Sequence, residues 1–545
     1  MNNKKINTCF NFNGRQEALD SAKKNIFDLI IIGGGITGAG ISLDASSRGI
    51  STLLIEKSDF SSGTSSRSTK LIHGGLRYLK SLELKLVRDV GRERTILLKN
   101  APHLVIAQKL ILPIYKKGSF KKWQLKFALS IYDWLAGVRK NEKKSVLDAK
   151  KTLSYEPLLE ASQLLGSGVY TEYRTDDARL TLEIIKTSIN YGATAFNYLE
   201  LIEIEKSNNL FIVHTMDHIR GQKFTFKTKN LVNATGPWTD QIRKINYAQA
   251  TTKICLSKGV HIVLKNKDLP IKNPVYFDTQ DKRMCFAIPR NECTYIGTTD
   301  TLYTSNNKSN PGITKKEVDY IINAINSTFN ISPITHKNII SFWSGLRPLI
   351  HQENKSTKEI SRKDEIIIDP NNMISIAGGK LTGFRIMAKK ITDIVAENLQ
   401  VKKQCSTHKI KLFGSENLSV KNVKNIKNQL LKELKKIGLN EAKSTMLFQN
   451  YGTQTEEIIT IFNTRKFNDI IQAEAVFCLK NESTYTLIDF FSRRNSKLFY
   501  YPEEIEKDIQ LVLPVFRDFL ELDNQKEDQL VNEILKLKKS LTKFV

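Results

Sequence analysis

The sequence predicts an α/β protein in which a domain built on a parallel sheet carries an inserted, mostly antiparallel β domain and a C-terminal helical domain. The length of 545 residues exceeds what one hydrophobic core usually serves, so two or three domains are expected. Phe27–Glu56 alternates strand, helix and strand, whereas Cys255–Leu264 and Pro274–Ile296 predict strands without intervening helices. From about Cys405 the chain is rich in Lys and Leu, which predicts helices to its end.

The parallel sheet is predicted from a short apolar strand that runs into a glycine-rich turn. Leu29–Ile32 is apolar and β-branched, which is typical of a buried parallel strand. Gly33, Gly35 and Gly38 follow in G-x-G-x-x-G spacing. The first glycine permits a tight turn, the second lets a pyrophosphate approach the backbone, and the third lets the next helix lie close to the strand. This pattern indicates a Rossmann-like unit.

The rest of this unit supplies a helix N-terminus and a carboxylate. A helix over about Ile36–Arg48 would direct its free N–H groups and positive dipole end at phosphates. Glu56 closes the second strand, Ser51–Ile55, where it can accept hydrogen bonds from a ribose diol. Together these features predict an adenine dinucleotide site. A glycine-rich turn in another kind of α/β unit is the alternative.

Three further stretches predict loops or turns around the same ligand. In the loop after Glu56, Ser65 and Ser66 could bond cofactor phosphates, while Gly74 and Gly75 would let the backbone approach a flat ring. A surface loop would not explain the apolar pair Leu71-Ile72 within this stretch. Two later turns, one of which opens a helix over Thr382–Asn398, offer Ala234, Gly236, Gly379, Lys380, Leu381 and Thr382.

Charge and cysteine content limit the class of protein. The 83 basic and 56 acidic residues give a net charge of +27, which favours anionic partners, although a Lys-rich solvated surface explains most of it. Six cysteines without a C-x-x-C pair indicate free thiols in a reducing cytoplasm. Met1–Lys24 is polar and no apolar run approaches 18 residues, so any membrane attachment is expected to be peripheral.

Lys116–Lys140 has two interpretations. Its basic flanks and helical periodicity suit an interfacial membrane helix, but an aromatic stripe at this spacing also suits a protein core. Phe490–Tyr501 is the alternative membrane-contacting surface. The stripe in Lys116–Lys140 consists of Trp123, Phe127, Ile131 and Trp134.

No metal site is expected. His214 and His218 have the i,i+4 spacing of a metal-binding pair, but this spacing brings two ligands together only on a helix. The alternation of Glu200–Asn230 predicts strands and turns instead.

Eight motifs in order carry a resemblance to a known family. They are GGGITGAG, TSSRSTKLIHGGLRYL, YRTDDARL, VNATGPW, SKGVHIV, GTTD, SGLRPL and AGGKLTGFR. Together they resemble the FAD-dependent glycerol-3-phosphate dehydrogenases, including the related oxidases, along most of Phe27–Gln400, and Ile488–Arg494 adds a C-terminal similarity. One motif alone would indicate only the broader glutathione-reductase-like flavoprotein class.

The resemblance implies oxidation of sn-glycerol 3-phosphate to dihydroxyacetone phosphate, with hydride passing to FAD. Electrons would pass to a membrane quinone, or to oxygen in the oxidase branch. It also implies a cytoplasmic protein bound peripherally at the inner face of the cell membrane, and it leaves a homodimer open. An amine or amino-acid oxidase of the same fold is a weaker alternative, because several cations here favour a phosphate. We expect no nucleic acid partner, since a function as a basic nucleic-acid-binding protein would leave the cofactor motifs unexplained.

The resemblance also implies a substrate site. A dianionic phosphate calls for permanently charged, forked donors, and the family's site is similar to Arg77, Arg347 and Arg362 here. Weaker candidate substrate contacts are Tyr78, Asp281 and Thr299.

The reaction needs a base for the C2 hydroxyl, and histidine is the neutral-pH base type among these motifs. His261 is preferred because its strand in the middle domain would face the substrate, whereas His73 would contact the cofactor. Lys380 is the second candidate base, or it stabilises negative charge on reduced flavin. The predicted catalytic residues are therefore His261, Lys380 and Arg347.

The predicted domain boundaries follow from these assignments. Residues 1–26 form a polar lead-in, and 405–545 form the C-terminal helical domain. The FAD-binding domain is discontinuous and the substrate or cap domain is inserted into it. The FAD-binding domain takes 27–110, 160–245 and 345–400, and the cap takes 111–159 and 246–344.

Overall fold

A computed structural model describes residues 10–73, 84–120, 144–351 and 364–544. Within these ranges the strands, labelled β1 to β18 in chain order, are Ile26–Ile32, Thr52–Ile55, Leu71–Ile72, Ile106–Tyr115, Ser145–Asp148, Leu164–Arg174, Thr194–Phe196, Leu199–Ser207, Leu210–Asp217, Gln222–Asn233, Ile254–Lys265, Val275–Asp278, Met284–Arg290, Cys293–Gly297, Thr301–Leu302, Ile339–Ile350, Asp364–Ile368 and Ile374–Gly378.

Helices cover the faces of the sheets and form the C-terminal part of the chain. A π-helix over Phe490–Arg494 and several short 3₁₀ turns accompany them. The α-helices of the described ranges are Arg15–Ala22, Ile36–Ser47, Leu84–Asn100, Ala149–Tyr155, Asp177–Asn190, Thr239–Asn246, Lys315–Thr328, Phe384–Asn398, Val423–Lys436, Glu441–Tyr451, Thr455–Arg465, Ile470–Asn481, Leu487–Asp489, Lys497–Tyr500, Ile505–Leu520 and Asn524–Ser540.

The first sheet has β1 near its centre, in agreement with the apolar run Leu29–Ile32, which is completely buried. β1 pairs in parallel with β2 and β10, and β7 and β18 extend the parallel part on either side. Helix Ile36–Ser47 packs against Asp177–Asn190 and Phe384–Asn398. Gly40 allows this packing, because a Cβ there would lie 2.7 Å from the Phe384 ring. The predicted parallel α/β unit is confirmed.

The second sheet is mostly antiparallel, as predicted. Its order is β15-β11-β14-β13-β12-β4-β6-β3, with β16 also beside β11 and β5 beside β6. Only the β12–β4 pair among these strands is parallel. Helix Lys315–Thr328 covers one face with a buried apolar core. β6 belongs to this sheet although the sequence-based division gives 160–245 to the FAD-binding domain, and those boundaries stay predictions.

The C-terminal part is helical, and its interior corrects one expectation. Phe490–Tyr501 was the alternative membrane-contacting surface, but Phe490, Phe491 and Leu498 are fully buried. The first two belong to the helical core, and Tyr500 packs against Tyr295 of the second sheet. Aromatic side chains can contact a protein core or a membrane, and those of this segment pack in the protein core. Hence this segment offers no membrane surface.

Two further observations concern membrane contact. In the described ranges, no helix combines the length and the apolar character needed to cross a bilayer. The stripe Trp123–Trp134 lies outside the described residues.

Candidate functional site

A cavity of about 1060 Å³ is lined from both sheets. One side comes from the carboxyl ends of β1, β2, β10 and β18, and the other from side chains of β6, β11, β13 and β16. Ligands of open α/β sheets bind outside the carboxyl ends of the strands. The volume is also large enough for a cofactor and a small substrate together.

The glycine-rich turn forms one end of this cavity. Gly33 has φ +109°, and a Cβ there would lie 2.7 Å from the Ala234 carbonyl oxygen. A Cβ at Gly38 would collide with the Gly33 carbonyl, so neither position accepts a side chain. At Gly35 the nearest group is the Ser65 hydroxyl, at 3.1 Å, and the position opens into the cavity. The turn therefore leaves a backbone cradle facing the ligand.

Ser65 and Glu56 complete this end. The Ser65 hydroxyl accepts a hydrogen bond of 2.9 Å from the Ile36 N–H, the first residue of the helix. The Glu56 carboxylate accepts from the N–H groups of Gly34 at 2.8 Å and Ser58 at 3.0 Å. Burial raises its pKa despite these bonds. Each carboxylate oxygen keeps a lone pair that a ribose hydroxyl could use. The chemistry of this end therefore fits the adenosine and pyrophosphate of FAD.

Two arginines of the π-helix Phe490–Arg494 form ion pairs with the loop that follows Glu56. The sequence analysis did not predict this contact. Asp59 accepts from Arg493 at 2.5 Å and from Arg494 at 2.6 and 2.8 Å. Burial alone would raise the pKa of Asp59, but Arg494 and Arg493 hold it below its usual value. Asp59 and Arg493 both line the cavity.

His261 lies on β11 at the opposite side of the cavity. Its ring stacks on Trp343 with 4.9 Å between centroids, and Gly297 on the other neighbouring strand leaves room for it. Nε2 lies 3.0 Å from the Thr69 hydroxyl oxygen, and the buried Nδ1 has no hydrogen-bond partner among the described residues. Burial, Arg347 and Lys70 place its pKa well below 6.5. The imidazole is therefore neutral at physiological pH.

Arg347 extends from β16 toward the same region. It donates to the Thr298 hydroxyl at 2.9 Å, to the Thr299 carbonyl at 3.3 Å and to the Asp300 carboxylate at 3.4 Å. About a quarter of its side chain is exposed. The Thr299 hydroxyl accepts from the Val260 N–H at 3.0 Å. Thr299 thus shapes the turn that holds Arg347, and the guanidinium borders the cavity.

Arg283 is a second cavity cation, and the sequence analysis missed it. It donates to the Asp300 carbonyl at 3.1 Å and pairs with the Asp281 carboxylate at 2.9 Å. Asp281 itself is exposed on a turn, where Thr279 and Tyr320 also donate to it. The sequence did contain a clue to this residue, because Arg283 lies two positions after the candidate substrate contact Asp281.

Lys380 reaches the cavity from the turn before helix Phe384–Asn398. Gly379 has φ +75°, which a side chain would strain, and Lys380 follows it in extended backbone. The Thr382 hydroxyl donates to the His73 carbonyl at 3.4 Å and thereby joins two of the predicted cofactor segments.

The cavity brings together most of the predicted site residues that the structure describes. Gly38, Ser66, Asp281 and Thr382 are described but lie outside its lining. Gly74, Gly75, Arg77, Tyr78 and Arg362 fall outside the described residues. The predicted residues in the lining are Gly33, Gly35, Glu56, Ser65, His73, Ala234, Gly236, His261, Thr299, Arg347, Gly379, Lys380 and Leu381.

The two histidines with metal-like spacing do not line this cavity, although Glu200, the partner of His218, does. His214 bonds to Glu205 at 3.2 Å and His218 to Glu200 at 2.8 Å, on the β8–β9 hairpin. The ligand atoms of Glu203, Glu205 and His214 come within 4.8 Å of one another, but both carboxylates are exposed. Absence of a metal stays a prediction.

Two family models match the chain. The model of FAD dependent oxidoreductases matches residues 28–388, which is more than half of the chain. The model of the C-terminal domain of alpha-glycerophosphate oxidase matches residues 405–527.

Relatives match over almost the whole length. An aerobic glycerol-3-phosphate dehydrogenase of Staphylococcus epidermidis is 40% identical over 532 residues, covering 94% of this chain and 95% of the relative. One of Staphylococcus aureus is 41% identical over 529 residues, with the same coverage. The crystal structure of the Bacillus halodurans glycerol-3-phosphate dehydrogenase complexed with FAD superposes with a TM-score of 0.84 at 34% identity, covering 98% of this chain and 99% of that one. The chain therefore belongs to the FAD-dependent glycerol-3-phosphate dehydrogenase family, as its motifs predicted.

Proposed function

We propose that this protein is an FAD-dependent dehydrogenase that oxidises sn-glycerol 3-phosphate to dihydroxyacetone phosphate and passes the electrons to a membrane quinone. One observation carries the proposal: a single cavity joins the glycine turn and Glu56 to the neutral His261 and to the cations Arg283 and Arg347. FAD, when bound, supplies the two-electron acceptor for the hydride from C2.

The chain's own residues divide the work of holding the cofactor. The backbone at Gly33 and Gly35, with the start of helix Ile36–Ser47, would hold the pyrophosphate. Glu56 would accept from the ribose, and the segments at Ala234–Gly236 and Gly379–Thr382 would border the ring. These roles follow from the lining of the cavity and the chemistry of each group.

Arg347 and Arg283 would bind the substrate phosphate. Both border the cavity, and both are held in place by bonds to the turn at Asp300. A charge-assisted hydrogen bond contributes about 1.5–3 kcal/mol, so two such residues can hold a small polyol phosphate. Arg77 and Arg362 remain predicted partners in this role.

His261 would take the proton of the C2 hydroxyl. We assign the Nε2–H to a hydrogen bond with the Thr69 hydroxyl, which leaves the lone pair on Nδ1. Arg347 helps to lower the pKa of this histidine, so a bound dianionic phosphate that neutralises Arg347 would raise it. The substrate would thereby strengthen its own base. Lys380 is the alternative base on the same cavity.

The electron acceptor defines a second candidate function. An oxidase of this family would use oxygen in place of a quinone, and the same cavity would serve both. An amine or amino-acid oxidase is less well supported, because paired arginines suit a phosphate better than an apolar side chain.

The test begins with the purified protein. We expect yellow protein whose colour is bleached by anaerobic glycerol 3-phosphate, then restored faster by a quinone analogue than by oxygen. Faster restoration by oxygen would identify an oxidase. Colourless protein that binds no added FAD would overturn the proposal.

Peripheral membrane attachment at the inner face of the membrane follows from a quinone acceptor, which is dissolved in lipid. Lys116–Lys140 is the proposed contact, since each cation near an anionic leaflet contributes about 1 kcal/mol. We expect more cosedimentation with anionic than with neutral vesicles, and a loss on joint substitution Trp123→Ser and Trp134→Ser. Binding that survives this double substitution would exclude the segment. The resemblance to the family is compatible with a homodimer.

A further inference from the structure

Arg67 is a cavity residue with no role in the assignments above. It follows the short turn Thr64–Ser66 and borders the cavity. Its backbone and Cβ pack directly on β16, because a Cβ at Gly345 would lie 2.5 Å from the Arg67 carbonyl oxygen and 3.0 Å from its Cβ. The glycine at this strand position therefore makes room for Arg67 between the strand and the cavity.

The charge of Arg67 is not neutralised by the part of the chain that the structure describes. Among the described residues, its guanidinium makes one hydrogen bond, from Nη1 to the Ser309 carbonyl at 2.6 Å, and no carboxylate pairs with it. The neighbouring cation, Arg493, differs, because Asp59 at 2.5 Å and Asp489 at 2.6 Å neutralise it.

A partly exposed guanidinium that borders a cavity and has no described carboxylate beside it is free to bind an anion from solution. Burial and then Arg493 lower the pKa of Arg67 to about 10, which still leaves it charged at pH 7. A guanidinium has five N–H donors, and the described residues accept from only one of those of Arg67. Forked donors of this kind match phosphate oxygens. The unused donors and the uncompensated charge thus indicate an anion in the cavity.

We infer that Arg67 is a further anion-binding residue of this site and that its guanidinium binds a phosphoryl group. The inference rests on the proposed function, which places two kinds of phosphoryl group in the cavity. Ser65, two residues before Arg67, bonds to the start of helix Ile36–Ser47, where the cofactor pyrophosphate would lie. Gly345 is two residues before Arg347 on the same face of β16, near the proposed substrate phosphate.

The experiment compares Arg67→Met and Arg67→Lys with wild type. Apoprotein is titrated with FAD by quenching of flavin fluorescence, and reconstituted enzyme is titrated with glycerol 3-phosphate for KM. We expect Arg67→Met to weaken one of the two by about 10- to 150-fold, and Arg67→Lys to recover much of it. A weaker Kd for FAD identifies the pyrophosphate, and a raised KM identifies the substrate phosphate. Arg88→Met, at a position whose side chain is 55% exposed, is the matched control and should change neither.

Stability gives an independent readout. Because no described carboxylate pairs with Arg67, the apoprotein of Arg67→Met should melt no lower than wild type, while added ligand should stabilise it less. Unchanged Kd and KM in Arg67→Met would overturn the inference. A destabilised or unfolded Arg67→Met apoprotein would also overturn it, since the cation would then have a structural partner. Failure of the proposed function would show earlier, in wild-type protein that neither binds FAD nor responds to glycerol 3-phosphate.

Discussion

Replacing His261 by Asn is expected to remove the proton acceptor and keep the cofactor. Asn is smaller than His and can still bond to Thr69, so the sheet around it should persist. The residues proposed to hold FAD lie mainly on the first sheet and its loops, so flavin content should stay normal. A positioned general base contributes about 10²- to 10⁴-fold, and kcat/KM should fall by that factor.

The pH dependence follows from the direction of the pKa shift. His261 has a pKa well below 6.5, so wild-type enzyme keeps the base neutral near pH 7. As the pH falls through the lowered pKa, the imidazole binds a proton and can no longer accept one from the substrate. The rate should therefore decline only on the acid side, and His261→Asn should lack this decline.

The assay is the anaerobic reduction of flavin by glycerol 3-phosphate, followed by absorbance across a range of pH. His214→Asn is the control, because His214 lies on the outer β8–β9 hairpin beside Glu205. An unchanged reduction rate in His261→Asn, with the acid decline intact, would refute the assignment. Lys380 would then become the candidate base.

Three further predictions address the cofactor, the substrate and the fold. Gly35→Val should give colourless protein, since its side chain would project toward Ser65 into the cradle, and retention of flavin absorbance would disprove the pyrophosphate site. Arg347→Ala should raise KM about 10- to 150-fold with flavin bound, and an unchanged KM would show that the phosphate lies elsewhere. Burial, with Arg179 and Lys186, lowers the pKa of His103 to about 3, so between pH 3 and 6.5 the unfolded chain binds the extra proton. The free energy of unfolding should therefore rise with pH there by about 1.4 kcal/mol per unit from this group, and urea unfolding of His103→Gln should show a smaller slope.

The sequence alone identified the features whose constraints are local. The glycine spacing could be read directly, because tight turns and close backbone approach exclude side chains at Gly33 and Gly38. The order strand, helix, strand in Phe27–Glu56 predicted the parallel sheet, and successive strands without helices between them predicted the antiparallel one. His261, Arg347 and Lys380 emerged from motifs whose family the comparisons confirm, and the structure puts all three on one cavity, although their roles stay proposals.

Only the tertiary structure could reveal charged groups whose role depends on partners that are distant in the sequence. Asp59 and Arg494 are 435 positions apart in the chain and form one ion pair, which no local pattern records. Arg67 and Arg493 both line the cavity, but Arg67 has no described carboxylate beside it, and that difference appears only when the chain is folded.

The burial of Phe490–Tyr501 was decided in the same way. Aromatic side chains are stabilised by burial against lipid or against other helices, and the sequence is the same in both cases. The neighbouring helices and the second sheet supply the apolar surface here, so the segment lies in the core. Sequence determines which groups need a partner, and the fold determines which partner each one receives.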